Sequence, residues 1–458
     1  MQKTVVLNVV GLTSSLIGPH TPFLKKWSAS QSQTPIKPVL PAVTCSAQST
    51  YLTGKYPDTH GIVGNGWYFK DECEVKFWRQ SNKLVEAQKV WDIAKQKDPT
   101  FTSANMFWWY NMYSTADFSV TPRPNYLADG RKIPDIYSNP AELRDKLQTE
   151  LGVFPLFNFW GPNTSIKSSQ WIADASKITD DLHDPTLTLI YLPHMDYNLQ
   201  RHGTKHPSIA KDLREIDAVC GELITFYEKK GARVLVLSEY GITDVSCPIA
   251  LNRVLREKGL IAIREERGLE LLDAGASKAF AVADHQIAHI YVNDQEKINE
   301  VREIVEQVAG VEKVLGKDEK STNHLDHDRS GDLVAIADKD SWFNYYFWLD
   351  DKKAPDFARM VDIHKKPGYD PVEMFINPKI KFPIPLIASK LIKKKLGFRT
   401  MMDVIPLDAS LIKGSHGRIP ESKSDWPLLI SNNLDLSANN SIEPTKVFDI
   451  ILENVFNS

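Results

Sequence analysis

The chain contains few cysteines, little net charge and no long apolar segment. Only 4 cysteines, Cys45, Cys73, Cys220 and Cys247, are distributed over its 458 residues. So few and so widely separated cysteines argue against a disulfide scaffold and against a cysteine-based zinc site. The formal net charge of −3 at pH 7 gives no general attraction to nucleic acid or to an anionic membrane. No segment approaches the roughly 20 uninterrupted apolar residues that a membrane-spanning helix requires.

Several functional motifs are also absent from the sequence. It contains no internal repeat, no Walker loop and no glycine fingerprint for dinucleotides. The chain runs from Lys3 straight into TVVLNVVG, without a long apolar region or a small-residue cleavage site, so we predict a first β-strand rather than a signal peptide. Together with the few cysteines, this predicts a cytoplasmic, reduced protein.

The sequence alternates short apolar runs with amphipathic stretches. TVVLNVV, LTLIYL from Leu187 and RVLVLS from Arg233 are typical of strands buried on both faces of a parallel sheet. Between the last two runs, apolar residues recur at helical spacing. They are Ile209, Leu213, Ile216, Val219, Cys220 and Leu223. We therefore predict an α/β fold with a βαβ unit, in which ligands lie beyond the carboxyl ends of the strands, near Val10, His194 and Glu239.

The segment from Pro41 to Gly61 contains a candidate nucleophile. Thr44 precedes SAQSTYLTG, which we interpret as a helix of small residues ended by Gly54. The start of a helix favours an anion, so a hydroxyl there is suited to attack a phosphoryl group. From local physics alone, an N-cap role for Thr44 and a turn role for Pro57 and Gly61 are as good an interpretation.

The residues Thr53 to Gly61, TGKYPDTHG, resemble the TG-x-YP-x-x-HG signature of type I phosphodiesterases and nucleotide pyrophosphatases. This family is a branch of the alkaline phosphatase superfamily. The resemblance implies an alkaline-phosphatase-like core, a mostly parallel sheet flanked by helices, in one domain over residues 1–458. It also implies a metal-dependent phosphoric ester hydrolase with Thr44 as the nucleophile. Because residues 67–177 depart from the strand–helix rhythm, we predict a lid-like insertion there.

The resemblance further implies ligands for two zinc ions at the strand ends, and the chain retains only part of that set. Asp196 and His416 match, and Glu239 stands where the family has Asp. Val10, Gln200 and Tyr240 replace an Asp and two His, and an apolar or phenolic side chain is a poor zinc ligand. The remaining candidates are His202, two residues beyond the lost position 200, and His194. The metal ligands implied are thus Asp196, His202, Glu239 and His416, for one or two ions.

Candidate substrate contacts lie elsewhere in the chain. They are Gln48, Asn65, His285 and His364. In strand alternation His285 and His289 would share one face, so together with Asp284 they are candidates for recruitment to a rearranged site, whereas structural histidines are the commoner outcome. The cluster from His324 to Arg329 runs into RSGDLVAIA, for which we favour a structural role.

Three functions remain open at this point. The first is hydrolysis of a small-molecule phosphate ester or diester, with a divalent metal, zinc by resemblance. The second is a catalytically degenerate member of the family that binds a phosphorylated metabolite. The third is an isomerase or transferase acting on a phosphate ester. None of them calls for a nucleic-acid polymer or a transmembrane segment.

A basic stretch, SKLIKKKLGFR from Ser389, belongs to none of these functions. A solvated helix is its usual meaning. Docking to an anionic partner or to a membrane surface is the alternative.

Overall fold

The structure is a computed structural model that describes residues 1–431 and 440–457. Its strands are β1 (Thr4–Val9), β2 (Ser32–Pro35), β3 (Gly66–Phe69), β4 (Glu74–Phe77), β5 (Ser103–Met106), β6 (Phe118–Pro122), β7 (Asn125–Tyr126), β8 (Lys132–Ile133), β9 (Ile136–Asn139), β10 (Leu187–Leu192), β11 (Arg233–Leu237), β12 (Thr243–Asp244), β13 (Cys247–Ile249), β14 (Ala262–Glu266), β15 (Leu269–Asp273), β16 (Ala279–Asp284), β17 (Ile287–Val292), β18 (Val311–Leu315), β19 (Leu333–Ala337), β20 (Ser341–Phe343), β21 (Gly414–Ser415) and β22 (Leu428–Ser431).

Helices connect most of these strands. They are α1 (Pro22–Ser28), α2 (Thr44–Thr53), α3 (Pro57–His60), α4 (Val90–Lys97), α5 (Glu142–Leu151), α6 (Leu156–Phe159), α7 (Ile166–His183), α8 (His194–His202), α9 (Ile209–Lys229), α10 (Leu251–Glu257), α11 (Ile298–Glu306), α12 (Lys317–Thr322), α13 (Pro383–Lys395) and α14 (Lys446–Phe456). No helix in the described part of the chain is both long and apolar enough to cross a bilayer.

The central sheet has the strand order β2-β22-β11-β1-β10-β5-β6-β9. The strands from β11 to β6 run parallel, and antiparallel strands close both edges. All six residues of β1 and of β10 are buried, as expected for strands covered on both faces. Two groups of helices pack on the sheet, α1, α7 and α9 in one and α2, α4 and α14 in the other. The predicted α/β class and alkaline-phosphatase-like core are confirmed.

The predicted βαβ unit is present, with one strand inserted. β10 leads through α8 and α9 to β11, and β1 lies between β10 and β11 in the sheet. The apolar positions predicted for α9 are all buried. The ends of β1, β10 and β11 therefore bring Val10, His194 and Glu239 to one edge of the sheet.

Residues 67–177 are not a lid as a whole, which corrects the sequence-based prediction. β5, β6 and β9 are strands of the central sheet, and α7 packs on β10. β5 and β6 were missed because each has only four or five residues that are almost all buried, which leaves no alternating pattern. The hairpin of β7 and β8, here named the lid hairpin, is a separate two-stranded sheet whose strand residues are exposed or partly exposed.

A second, antiparallel sheet of β16, β17, β19 and β18 stands beside the first. The turn between β16 and β17 carries Asp284 and His285 towards the edge where the strands of the central sheet end. The aromatic residues between Trp342 and Trp348 are buried, and all of them except Phe343, which packs in a neighbouring core, belong to one hydrophobic cluster. Those rings fill the protein core.

Candidate active site

Helix α2 starts at the carboxyl edge of the central sheet. Thr44 is its first residue, whereas the sequence placed it just before the helix; the N-cap is Val43, in extended conformation. All ten residues of α2 are buried, which its small side chains allow, and Gly54 ends the helix with φ of 65°. The signature histidine, His60, contacts Thr50 Oγ1 at 3.0 Å and accepts the N–H of Ile62. It thus ties α2 to the following loop.

The Thr44 hydroxyl is the first member of a chain of hydrogen bonds. Its Oγ1 lies 3.2 Å from the Tyr240 hydroxyl, which in turn donates to Asp196 Oδ1 at 3.1 Å. Because the phenol proton goes to Asp196, Thr44 is the donor to Tyr240. Burial, followed by the charges of Asp196 and Glu239, raises the pKa of Tyr240 well above its ordinary value, so the phenol stays protonated.

The chain continues behind Asp196. Gln200 Nε2 donates to Asp196 Oδ2 at 2.8 Å, and the Tyr369 hydroxyl donates to Gln200 Oε1 at 3.0 Å. Gln200, which stands where the resemblance expects a histidine, therefore supports the carboxylate. Burial raises the pKa of Asp196 to about 6, against the opposing effect of these two donors, Gln200 and Tyr240.

Glu239 lies next to this chain of hydrogen bonds, and its pKa differs from that of Asp196. Its Oε1 accepts the side-chain amides of Asn8, at 2.6 Å, and of Gln48. Gln48 in turn accepts the backbone N–H of Trp109. Burial raises the pKa of Glu239 to about 8, although the amides of Gln48 and Asn8 and the nearby Thr44 lower it. In the absence of a metal ion, Glu239 is therefore mostly protonated at neutral pH and able to act as an acid. Its role as a metal ligand, which the resemblance implies, stays a prediction.

Two neutral imidazoles, those of His416 and His285, complete this group of buried polar side chains, the pocket around Thr44. His416 Nδ1 lies 2.7 Å from the carbonyl of Ala42, and His285 Nδ1 lies 2.8 Å from Asp284 Oδ1, so both rings carry their proton on Nδ1. Neither Nε2 atom has a hydrogen-bond partner among the described residues. Burial lowers the pKa of both rings well below the ordinary value. Each Nε2 is therefore a free lone pair inside the protein.

The same imidazoles belong to a stack of four rings. Tyr240 stacks on His416 with 3.6 Å between centroids, and His285 stacks on Tyr369 with 3.7 Å. His416 and His285 join the two pairs at 3.7 Å, with an angle of 35° between their ring planes. Tyr240 thus occupies the space where the resemblance expects a histidine ligand.

This pocket does not fit a two-zinc centre. Its converging ligand atoms are Asp196 Oδ1 and His416 Nε2, 3.8 Å apart, while Oε1 of Glu239 is bound by the amides of Asn8 and Gln48. Among the described residues, one group of three histidine and carboxylate ligand atoms lies close enough for a metal. It consists of His194, Asp212 and Glu215, outside the Thr44 chain.

The structure separates several predicted residues from this pocket. His202 is at the far end of α8 from Asp196, roughly 9 Å along the axis, and its ring stacks on His206. His364 lies near the carbonyl of Phe77 at 3.3 Å and contacts the lid hairpin through Tyr126. Neither residue contacts Thr44 or Asp196 in the described structure.

The remaining candidates have supporting positions. Asn65 accepts the N–H of Cys45 at 3.0 Å and donates to Asp284, so it fixes the start of α2. His285 lies in a turn, with φ of 62°, and so does not share a strand face with His289. His289 contacts the carbonyl of Val63 and accepts the N–H of Gly331, as a structural histidine does.

Sequence reasoning missed three residues of the pocket. Asn8 supports Glu239 from β1, Trp109 supplies a backbone donor, and Tyr369 ends both the polar chain and the ring stack. The signal for Asn8 was an amide within the apolar run TVVLNVV. Trp109 and Tyr369 lie in loops and gave no periodic signal.

The chain matches the family model for type I phosphodiesterase / nucleotide pyrophosphatase over residues 4–370. The chain belongs to this family. The resemblance seen in TGKYPDTHG is thereby confirmed.

Two curated relatives of the phosphodiesterase family are similar to part of the chain. A pyrophosphatase/phosphodiesterase of Schizosaccharomyces pombe, described as uncharacterized, is 26% identical over 222 residues, 46% of this chain and 38% of that protein. Ectonucleotide pyrophosphatase/phosphodiesterase family member 1 of Rattus norvegicus is 22% identical over 233 residues, 48% of this chain and 21% of that protein. The matches thus span well under half the length of either relative.

Solved structures share the phosphodiesterase fold over nearly the whole chain. Human ectonucleotide pyrophosphatase / phosphodiesterase 5 is 15% identical, with a TM-score of 0.61, over 99% of this chain and 95% of that one. Phosphonoacetate hydrolase from Sinorhizobium meliloti 1021, in complex with phosphonoacetate, is 12% identical, with a TM-score of 0.63, over 99% and 96%. At these identities the likeness shows the fold.

The donor set of this family member leads to a prediction about zinc. We expect fewer than two zinc ions per chain after equilibration with zinc, because the pocket presents two converging ligand atoms rather than six or more. Elemental mass spectrometry of the wild type, of an Asp196→Ala, His416→Ala double variant and of His194→Ala measures this and locates any ion. Two ions per chain, both lost in the double variant, would contradict our interpretation of the pocket.

Proposed function

We propose that this protein hydrolyses a small phosphate ester or diester, with the Thr44 hydroxyl as the nucleophile. The observation that carries the proposal is the hydrogen-bonded chain from Thr44 through Tyr240 to Asp196. It offers the hydroxyl proton a path to a carboxylate, at a helix start that favours an anion. Family membership supports this reaction class. The phosphorus compounds in the related structures, AMP with a murine relative and phosphonoacetate with the bacterial one, suggest a small substrate.

The attack step follows from these contacts. Thr44 Oγ1 forms a bond to phosphorus and the bond from phosphorus to the leaving oxygen breaks. The Thr44 proton moves to the Tyr240 oxygen as the Tyr240 proton moves to Asp196 Oδ1. Since the pKa of Asp196 is about 6, the carboxylate is ionised at neutral pH and able to accept it. Glu239 is protonated, and its Oε2 has no hydrogen-bond partner among the described residues, so it gives its proton to the leaving oxygen.

The second step reverses these transfers. Water attacks the phosphoryl-threonine and loses a proton to the Glu239 carboxylate formed in the first step. Thr44 leaves phosphorus and recovers its proton from Asp196 through Tyr240. The two carboxyl groups thus have separate roles that their separated pKa values allow.

We expect a bell-shaped dependence of kcat/KM on pH. Activity rises as pH increases through about 6, where Asp196 ionises, and falls as pH increases through about 8, where Glu239 loses its proton. The measurement is hydrolysis of bis(p-nitrophenyl) phosphate and p-nitrophenyl phosphate over this range. In Glu239→Gln we expect lower activity without the falling limb. An unchanged falling limb in that variant would contradict the acid role of Glu239.

A second form of the proposal assigns Asp196 to a metal. The family is one of metal-dependent phosphoesterases, and a single divalent ion would have Asp196 and His416 as ligands here. Zinc suits an imidazole and a carboxylate, and when bound it would supply positive charge opposite a phosphoryl oxygen. If the protein keeps its hydrolytic activity after a chelator has removed metal ions, the result supports the proton path through Tyr240. If activity is lost on chelation and returns when zinc is added, the result supports the metal-dependent form.

A second candidate function is binding of a phosphorylated metabolite without turnover. It is favoured by the burial of the pocket, in which Thr44 is 5% and Asp196 9% exposed. Calorimetry with AMP and with inorganic phosphate, alongside the hydrolysis assay, separates the two functions. Binding without hydrolysis of any ester tested would establish this candidate.

The predicted cytoplasmic location remains part of the proposal. The free thiols of Cys45, Cys73, Cys220 and Cys247 accord with a reducing compartment.

A further inference from the structure

We propose that the segment from Lys379 to Met401, built around α13, docks onto the surface of an anionic lipid bilayer. The proposal goes beyond the proposed hydrolysis and does not depend on it. It begins from the observation that α13, with 13 residues, has no buried residue. Such a helix obtains little stabilisation from the protein core.

Large apolar side chains of this segment face solvent instead. They are Phe382, Ile384, Leu391, Ile392, Leu396, Phe398 and Met401, with exposed fractions of 46% to 79%. Single exposed apolar residues are normal, whereas a concentrated group of this size marks an interaction surface. The segment is therefore suited to contact with an apolar phase outside the protein core.

The apolar residues of α13 follow one helical face. Ile384, Ala388, Leu391 and Ile392 stand at positions i, i+4, i+7 and i+8, and all four are exposed. This is the spacing of a core-facing stripe, here turned away from the core. At the flank of this stripe, next to Leu391, Ile387 packs on a buried cluster of the protein. The helix thus contacts the protein along one edge of its apolar stripe and leaves the rest of the stripe exposed.

The charge of the segment indicates which partner it meets. Lysines and one arginine stand at Lys379, Lys381, Lys390, Lys393, Lys394, Lys395 and Arg399, and no acidic residue occurs between Glu373 and Asp403. Lys390 pairs with Asp403. Among the described residues, Lys393, Lys394 and Lys395 have no acidic partner, so their charge is available to an anionic surface. Apolar side chains flanked by cations are the composition of helices that lie in the plane of an anionic membrane.

A neighbouring element extends the surface. Arg399 donates to the carbonyl of Ala128 at 2.9 Å, in the loop between β7 and β8. That hairpin exposes Tyr126, Leu127 and Ile133. Lys132 lies over the Tyr126 ring. The apolar and basic character thus continues from α13 onto the lid hairpin.

The helix is too short to span a bilayer, since 13 residues extend about 20 Å. Its orientation is therefore in the plane of the surface. The overall charge of −3 opposes non-specific attraction, so the local charge of this segment decides the binding.

The test is co-sedimentation of the full-length protein with phosphatidylcholine vesicles that contain or lack phosphatidylserine. We expect binding to the anionic vesicles and much weaker binding to the neutral ones. Charge reversal in a Lys393→Glu, Lys394→Glu, Lys395→Glu variant should weaken binding by at least roughly 100-fold, because each basic residue at such a surface contributes about 1 kcal/mol. Ile384→Ser, Leu391→Ser, Ile392→Ser should abolish it on both kinds of vesicle.

A matched control carries the same charge change elsewhere. Lys25, Lys26 and Lys229 are exposed on α1 and α9. If vesicle binding depends on the charge of the α13 segment, replacing these three lysines by Glu should leave binding within about twofold of the wild type. Circular dichroism shows that each variant is folded. No vesicle binding by the wild type, or equal losses in the control and the α13 variants, would overturn the proposal. A dimer that the serine variant dissociates, without vesicle binding, would assign the surface to a second copy of the chain instead.

Discussion

Replacing Thr44 by alanine is expected to reduce kcat by at least about a thousandfold while leaving the fold intact. The reason is that the hydroxyl is the attacking group. The neighbouring groups are acids, amides, neutral imidazoles and the Tyr240 phenol, which stays protonated, and none of them replaces it. The loss of one buried hydrogen bond costs about 1 kcal/mol, too little to unfold the protein. Hydrolysis of bis(p-nitrophenyl) phosphate and thermal unfolding measure the two quantities.

Thr44→Ser is the matched control for this variant. It keeps the hydroxyl and should retain activity within about a hundredfold, and it should still form a phosphorylated intermediate. Mass spectrometry after acid quenching should find the phosphoryl group on residue 44 of the wild type and of the serine variant. Unchanged turnover by Thr44→Ala would remove the nucleophile from the proposal, even if hydrolysis itself is confirmed.

Replacing Tyr240 by phenylalanine is expected to lower kcat by roughly 10²- to 10⁴-fold with little change in KM. The ring retains its stacking on His416, whereas the proton path from Thr44 to Asp196 is cut. The limb of the pH profile that rises through about 6 should disappear, because Asp196 no longer receives the proton. A purely structural role for Tyr240 would leave the shape of the profile unchanged.

A double-variant cycle makes this test sharper. Asp196→Asn should cost as much as Tyr240→Phe, and the double variant should be no worse than either, since the two side chains act in one path. Independent losses that multiply would show that Tyr240 and Asp196 have separate roles. They would favour the form of the proposal in which Asp196 holds a metal with His416.

Regular parts of the fold could be predicted from the sequence because their patterns are local. β1, β10 and β11 are uniform apolar runs, and α9 has an apolar face of helical spacing. The order of the strands in the sheet, with β1 between β10 and β11, depends on long-range packing that no local pattern contains. β5 and β6 were not predicted because four or five consecutive buried residues show no alternation of apolar and polar side chains.

The sequence was sufficient to predict which positions form the site, but not the protonation and orientation of their side chains. Thr44, Asp196 and His416 were found from the motif, and the structure brings them together. The stacking of Tyr240 on His416 and the protonation of Glu239 depend on burial and ring orientation, which are properties of the folded chain. From the sequence alone, Tyr240 therefore counts only as a missing metal ligand. In the structure its hydroxyl forms two hydrogen bonds, one with Thr44 and one with Asp196.

The stack of Tyr240 on His416 also limits how a two-metal site could be built into this chain. Replacing Tyr240 by histidine alone would remove the phenol that joins Thr44 to Asp196, while Val10 would still offer no ligand. Placing Asp alone at the fully buried Val10 would put a charge there without an ion to compensate it. Neither substitution by itself supplies a second metal site, so a dinuclear variant would need both positions changed together.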